Sequence, residues 1–87
     1  MRIEYSRRFV KELKKAPRKI QTAFKNRLAL FINNAAHPLL RIHSLTGELR
    51  DCYSFSVTGD WRVVYKNYPN GDIVLFIMFG THSHLYN

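Results

Sequence analysis

Asp60 and Arg62 flank Trp61 at the start of an alternating segment, and the two-residue period of a strand places both on the same side. His82 and Tyr86 follow the next apolar run, in a short exposed tail. An acid, a guanidinium, an imidazole and a phenol can therefore converge at one end of a sheet. Together they suit the cleavage of RNA without a metal. The 2′-hydroxyl must lose a proton as it attacks the adjacent phosphate, the dianionic transition state calls for a guanidinium, and the departing 5′-oxygen needs a proton. Each positioned acid or base contributes about 10²- to 10⁴-fold.

Other chemistries find less support. His82-Ser83-His84 brings two imidazoles close together, but no Cys or carboxylate set accompanies them at ligand spacing, so no metal is expected. No Gly-rich phosphate cradle precedes a helix, and no cofactor is expected either. Nothing around Cys52 argues for a lowered thiol pKa, and it reads as a buried structural residue. Asp60 and Asp72 both fall at turns, where Asp is favoured for backbone geometry alone; only the convergence on Arg62 and His82 singles out Asp60.

The elements that must position these groups follow from periodicity. Arg2 to Tyr5 is a short strand with Ile3 and Tyr5 on one face, and Ser6 is a natural N-cap for the helix that follows. That helix aligns Phe9, Val10, Leu13 and Ala16 until Pro17 interrupts it. A second helix, running to about Asn34, aligns Ile20, Ala23, Phe24, Leu28 and Phe31, with the Arg27 stem on the core and its head in water. The two helices read as an antiparallel hairpin. Pro38 ends the helical region, and Leu39 to Gly47 is a connector.

Cys52 to Val57 alternates, with Tyr53, Phe55 and Val57 on one face and Cys52, Ser54 and Ser56 on a wetter one. Thr58-Gly59-Asp60 reverses the chain into a strand from Trp61. Asn70-Gly71 signals a tight hairpin into Ile73 to Phe79, a central strand apolar on both faces. The expected fold is α+β: an N-terminal strand, a helical hairpin, then a three-stranded antiparallel β-meander, forming one sheet covered by the helices.

At 87 residues this is a single domain, and 46% hydrophobic content argues for a packed core. No apolar run approaches the ~20 residues of a membrane span. The N-terminus has no signal-peptide pattern and Cys52 is the only cysteine, so a cytoplasmic location is expected. The formal charge is +8, and residues 1 to 27 carry ten of the fourteen Lys and Arg against only Glu4 and Glu12. Residues 28 to 87 balance four bases with four acids. Such a one-sided surplus, outward on the helices at Lys11, Lys14, Lys15, Arg18, Lys19 and Lys25, fits a polyanion: nucleic acid, acidic lipid or an acidic protein.

Leu45-Thr46-Gly47, then Val57-Thr58-Gly59-Asp60-Trp61-Arg62-Val63-Val64-Tyr65, then Gly80-Thr81-His82-Ser83-His84-Leu85-Tyr86, resemble the RelE/ParE toxin superfamily and most closely its YafQ-like branch. The resemblance runs over nearly the whole chain, and its closing segment is the most specific part. It implies a type II toxin that enters the ribosomal A site and cuts mRNA there, silenced by a cognate antitoxin. By position, His82 matches the family's C-terminal catalytic His, Tyr86 its terminal aromatic and Asp60 its strand-start Asp. His43 matches the His before Leu-Thr-Gly, and Arg62 the phosphate-stabilising Arg. Tyr53 stands where the branch carries a His after Asp-Cys, which leaves His43, Asp51 and Asp60 as candidate bases. The alternatives are a ParE-like gyrase poison without nuclease activity and a decayed toxin that only binds antitoxin.

Overall fold

The structure, a computed structural model, describes residues 1–86. In chain order it contains β1 (Arg2–Tyr5), α1 (Arg7–Lys15), α2 (Arg18–Asn33), β2 (His43–Ser44), β3 (Tyr53–Ser56), β4 (Trp61–Tyr68), β5 (Ile73–Thr81) and α3 (His82–Tyr86). Short 3-10 turns occupy Pro38–Leu40, Gly47–Leu49 and Pro69–Gly71.

Ser6 caps α1 as its type predicts. Its hydroxyl accepts from the Phe9 N–H at 3.0 Å and donates to the Ile77 carbonyl at 2.6 Å, joining the start of the helix to β5. The cap alone is worth about 1 kcal/mol. Phe9 is buried and Leu13 packs beside it, but Val10 is 38% exposed, off the expected stripe. A helix this short meets the sheet along one narrow line, and Val10, one position round from Phe9, lies outside it. The α2 stripe packs as expected, with Phe24 and Phe31 buried. The Arg27 head does not end in water: its Nε donates to the Val57 carbonyl at 3.3 Å and its Nη1 to that of Leu39 at 3.2 Å.

The expected three-stranded meander is part of a five-stranded sheet of order β1-β5-β4-β3-β2. β1 runs parallel to β5, and the remaining pairs are antiparallel. The extra strand, β2, lies inside the segment read as a connector; two residues are too few to show alternation. The expected Asn-Gly hairpin turn is replaced by the 3-10 turn Pro69–Gly71, closed by Asp72 in the left-handed region at φ 51°. Pro69 presets φ for that turn, and Asp tolerates the left-handed residue after it.

β5, expected to be central, is an interior apolar strand between β1 and β4, with β4 in the middle of the sheet, and a bulge sorts its two faces. Tyr65 pairs with Phe76 and Val64 with Met78, which leaves Ile77 unopposed. Phe76 and Phe79 therefore both face the helices, in a core with Phe9, Phe24, Phe31, Phe55, Val63 and Tyr65. Met78 turns to the other face, with Val64, Cys52 and Leu85. Burial in the aromatic core pushes the Tyr65 phenol up to about 12, with Tyr53 adding to the shift. No helix among the described residues is long and apolar enough to cross a membrane.

Candidate active site

The face of the sheet away from α1 and α2 carries two short cross-strand rows. His43 on β2, Ser54 on β3, Val64 on β4 and Met78 on β5 form one row; Ser56, Arg62 and Gly80 form the next. The alternation that buries Phe55 and Val63 under the helices is what turns Ser54, Ser56 and Arg62 the other way. This face was expected to be wet, but Ser54 is 2% and Ser56 6% exposed. α3 and the Leu45–Leu49 region cover it.

The segment expected to be an exposed tail is instead the end of β5 followed by α3, with Leu85 buried. Gly80 permits the fold-back. A Cβ there would lie 2.9 Å from His84 Cδ2 and 3.4 Å from Leu85 Cδ2. The His82 N–H donates to the Asp60 carbonyl at 3.0 Å, fixing the first residue of α3 to the turn before β4. One helical turn later Tyr86 returns to His82, with ring centroids 4.8 Å apart and an interplanar angle of 69°.

His43, Leu45, Ser54, Arg62, His82 and Tyr86 line one cavity of about 240 Å³. Arg62 Nη1 donates to Ser56 Oγ at 3.2 Å, which orients the guanidinium, while Arg62 Nε and Tyr86 Oη are buried without a hydrogen-bond partner. A buried donor left unpaired is costly, and more so on a charged group. An anionic oxygen entering the cavity would relieve that cost with a charge-assisted hydrogen bond. A larger cavity of about 560 Å³ adjoins it, lined by Leu45, Thr46, Glu48, Leu49, His82, Leu85 and Tyr86.

The structure thus brings together His43, Arg62, His82 and Tyr86. Asp60 is exposed in the turn and does not line either cavity; it enters only through its backbone carbonyl. Asp51 is exposed and also outside both cavities. The Tyr53 ring stacks on Tyr65 at 5.7 Å, on the helix-covered side, so the residue replacing the branch's His points away from the site. Cys52 is buried and burial pushes its thiol pKa up, with Lys66 opposing and Asp51 adding, as suits a structural thiol. Among the described residues no group of three or more His, Cys, Asp and Glu could hold a metal ion. Lys11, Lys14, Lys15, Arg18, Lys19 and Lys25 are all exposed and line neither cavity.

Sequence reasoning missed three contributors. Ser56 was read only as part of a wetter face, and its place opposite Arg62 comes from the β3–β4 register. Glu48 was read only as charge. Glu12 carries no local signal at all: its Oε1 accepts from the Phe79 N–H at 3.1 Å and from Arg8 Nε at 3.2 Å, while Oε2 lies 3.2 Å from His84 Nε2. It covers the edge of β5 that β1 leaves open and ties α1 to α3.

The model of a protein family described as "Bacterial toxin of type II toxin-antitoxin system, YafQ" matches residues 1–87. Among solved structures, YafQ from E. coli strain BL21(DE3) superposes with a TM-score of 0.83 at 27% identity, covering 100% of both chains. A chain of the E. coli DinJ-YafQ complex gives 0.81 at 28% identity, again over 100% of both. An archaeal RelE-RelB complex from Pyrococcus horikoshii OT3 gives 0.73 at 18% identity over 92% of each chain, a likeness of fold. No curated protein matches the sequence.

Proposed function

The chain belongs to the YafQ family of bacterial toxins of type II toxin-antitoxin systems, and on that premise we propose that it is a metal-independent endoribonuclease that cuts mRNA during translation. The observation that carries this reading is the one cavity lined by Arg62, Tyr86, His43 and His82, with Arg62 Nε and Tyr86 Oη buried and unpartnered behind its wall. A phosphodiester placed there has a guanidinium for its developing charge and the imidazoles of His43 and His82 in the same lining. His82 is the general acid for the 5′-oxygen and His43 the base for the 2′-hydroxyl; Ser56 holds Arg62 and the Asp60 carbonyl holds the backbone of His82. Tyr86 orients His82 and offers a ring for base stacking.

The basic faces of α1 and α2 lie outside the cavity and act in docking, on ribosomal RNA when the toxin is free and on an acidic antitoxin when it is silenced. The E. coli and archaeal relatives were solved with the partners DinJ and RelB, which supports an antitoxin here. The site of action is the cytoplasm, where translating ribosomes are. If four of these lysines, Lys11, Lys14, Lys15 and Lys19, are replaced by Gln, ribosome binding should weaken. The slope of log affinity against log salt should flatten by about 3, from the ~0.7–0.9 contributed by each phosphate contact. An unchanged slope would move the docking surface elsewhere.

The reading itself is tested by expressing the protein without an antitoxin and mapping 5′ ends on a reporter mRNA with and without its start codon. New 5′ ends inside the translated frame, absent when translation is blocked, are expected. Intact mRNA together with a DNA-damage response would overturn the reading in favour of a gyrase poison. Intact mRNA with normal growth, from folded protein, would mark a decayed toxin.

A further inference from the structure

α3 is five residues long, too short to keep a helical shape by its own hydrogen bonds, so its position comes from what it touches. On the sheet side Leu85 packs in the cluster of Cys52, Val64 and Met78, and the His82 N–H donates to the Asp60 carbonyl at 3.0 Å. A further hold comes from the opposite side. His84 lies two residues after His82 and two before Tyr86, about 200° round the helix from each, and it lines neither cavity of the site while they line both.

What His84 meets there is a carboxylate already held by two other donors. Glu12 Oε1 accepts from the Phe79 N–H at 3.1 Å and from Arg8 Nε at 3.2 Å, which leaves Oε2, 3.2 Å from His84 Nε2. The Glu12 side chain is 16% exposed and that of His84 61%, so the acceptor is the fixed member of the pair. An ionised carboxylate only accepts, so the contact holds when Nε2 carries the hydrogen. The imidazole reaches Glu12 by crossing Gly80, where a Cβ would stand 2.9 Å from His84 Cδ2. Gly80 is also the residue that faces Arg62 across β4 and β5. The hold on α3 and the proposed phosphate clamp thus share one point of the sheet.

We propose that His84 is a positioning residue for the cleavage reaction: through its contact with Glu12 it sets the rotation of α3 about its own axis, and with it where His82 stands beside Arg62. The proposal rests on the nuclease reading above. Apolar packing at Leu85 is not directional, so a helix held there alone can roll on that contact. A hydrogen bond on the face away from the cavity removes the roll. His82 and Tyr86 turn with the helix as one body, because their rings are in contact. A general acid must stay within hydrogen-bond reach of the oxygen it protonates, and a misplacement of about 1 Å can cost about 100-fold in rate. The contact itself is half in solvent, so it bears on the geometry of the site far more than on the stability of the fold.

The test is single-turnover cleavage of a reporter mRNA on translating ribosomes, with the maximal rate and the half-saturating protein concentration measured separately for wild type, His84→Ala, His84→Asn and His84→Gln. The Gln amide nitrogen can stand where Nε2 does and donate to Glu12, whereas the shorter Asn places its nitrogen near the position of Nδ1. His84→Ala and His84→Asn are expected to lower the maximal rate about 10- to 100-fold, with the half-saturating concentration, the circular dichroism spectrum and the urea midpoint as in wild type. His84→Gln should restore most of the rate. Wild-type cleavage by His84→Ala overturns the assignment and leaves the nuclease reading intact. So does a loss confined to the half-saturating concentration, a loss that follows a fall in the urea midpoint, or equal rates for His84→Asn and His84→Gln. Failure of the wild-type protein to cut the reporter overturns both.

Discussion

His82→Ala is expected to slow mRNA cleavage by about 10²- to 10⁴-fold, the contribution of one positioned general acid, and to abolish growth inhibition on induction. The fold should survive the change. His82 is exposed, the Asp60 carbonyl binds its backbone N–H rather than its ring, and Leu85 anchors α3 from the sheet side. What disappears is the imidazole beside Arg62 and the edge contact with Tyr86. Growth curves and 5′-end mapping at matched protein levels give the readout. A variant that inhibits growth and cuts translated mRNA like the wild type would remove His82 from the mechanism. Antitoxin binding offers a second check, because a folded but inactive variant should still be captured by the cognate antitoxin.

Phe76→Ala should cost about 3–5 kcal/mol, the usual range for deleting a fully buried aromatic side chain. Phe76 is 0% exposed and its ring meets those of Tyr5, Phe9, Phe24, Phe31, Phe55 and Tyr65. Its ring contacts reach β1, α1, α2, the neighbouring strand β4 and, one strand further on, β3. Few other atoms could move in to fill the cavity, because every neighbour is itself held by other rings. Against a total stability of about 5–15 kcal/mol for such domains, the loss is a large share of the total. Urea denaturation of wild type and variant measures it, with Ile32→Ala on the exposed side of α2 as the control, expected within about 0.5 kcal/mol of wild type. A Phe76→Ala loss no larger than that control would mean the ring cluster contributes little.

The elements with a long enough period were legible in the sequence. The stripe from Ile20 to Phe31 and the alternation from Tyr53 to Ser56 fix both type and facing, and the apolar run of β5 fixes its type. β2 and α3 were not, since two and five residues span less than a usable period and their placement depends on partners distant in the chain. The bulge at Ile77 left no local mark either. It decides that Phe76 and Phe79, three apart, share a face, which strict alternation forbids. In the site, Arg62, His82 and Tyr86 were found by residue type and motif, whereas Asp60 was placed by strand period although it lies in the turn, outside that period. Ser54 and Ser56 looked wet because their hydroxyls are polar; α3, unseen in the sequence, covers them. Glu12 reaches Phe79 and His84 across 67 and 72 residues, a span no local pattern encodes.

The parallel pairing of β1 with β5 bears on the order in which a ribosome makes this chain. β1 emerges first and finds no strand to pair with until β5, which joins it to β4 and follows every other strand in the chain. Phe76 and Phe79 arrive with it, and Arg62 has no neighbour at Gly80 before then. A nascent chain that ends short of β5 lacks Val74, Phe76 and Phe79 from its core and the helix that carries His82. Activity should therefore switch on in one step, as β5 and α3 clear the exit tunnel, and partial products should be both unfolded and harmless to the ribosome that is making them.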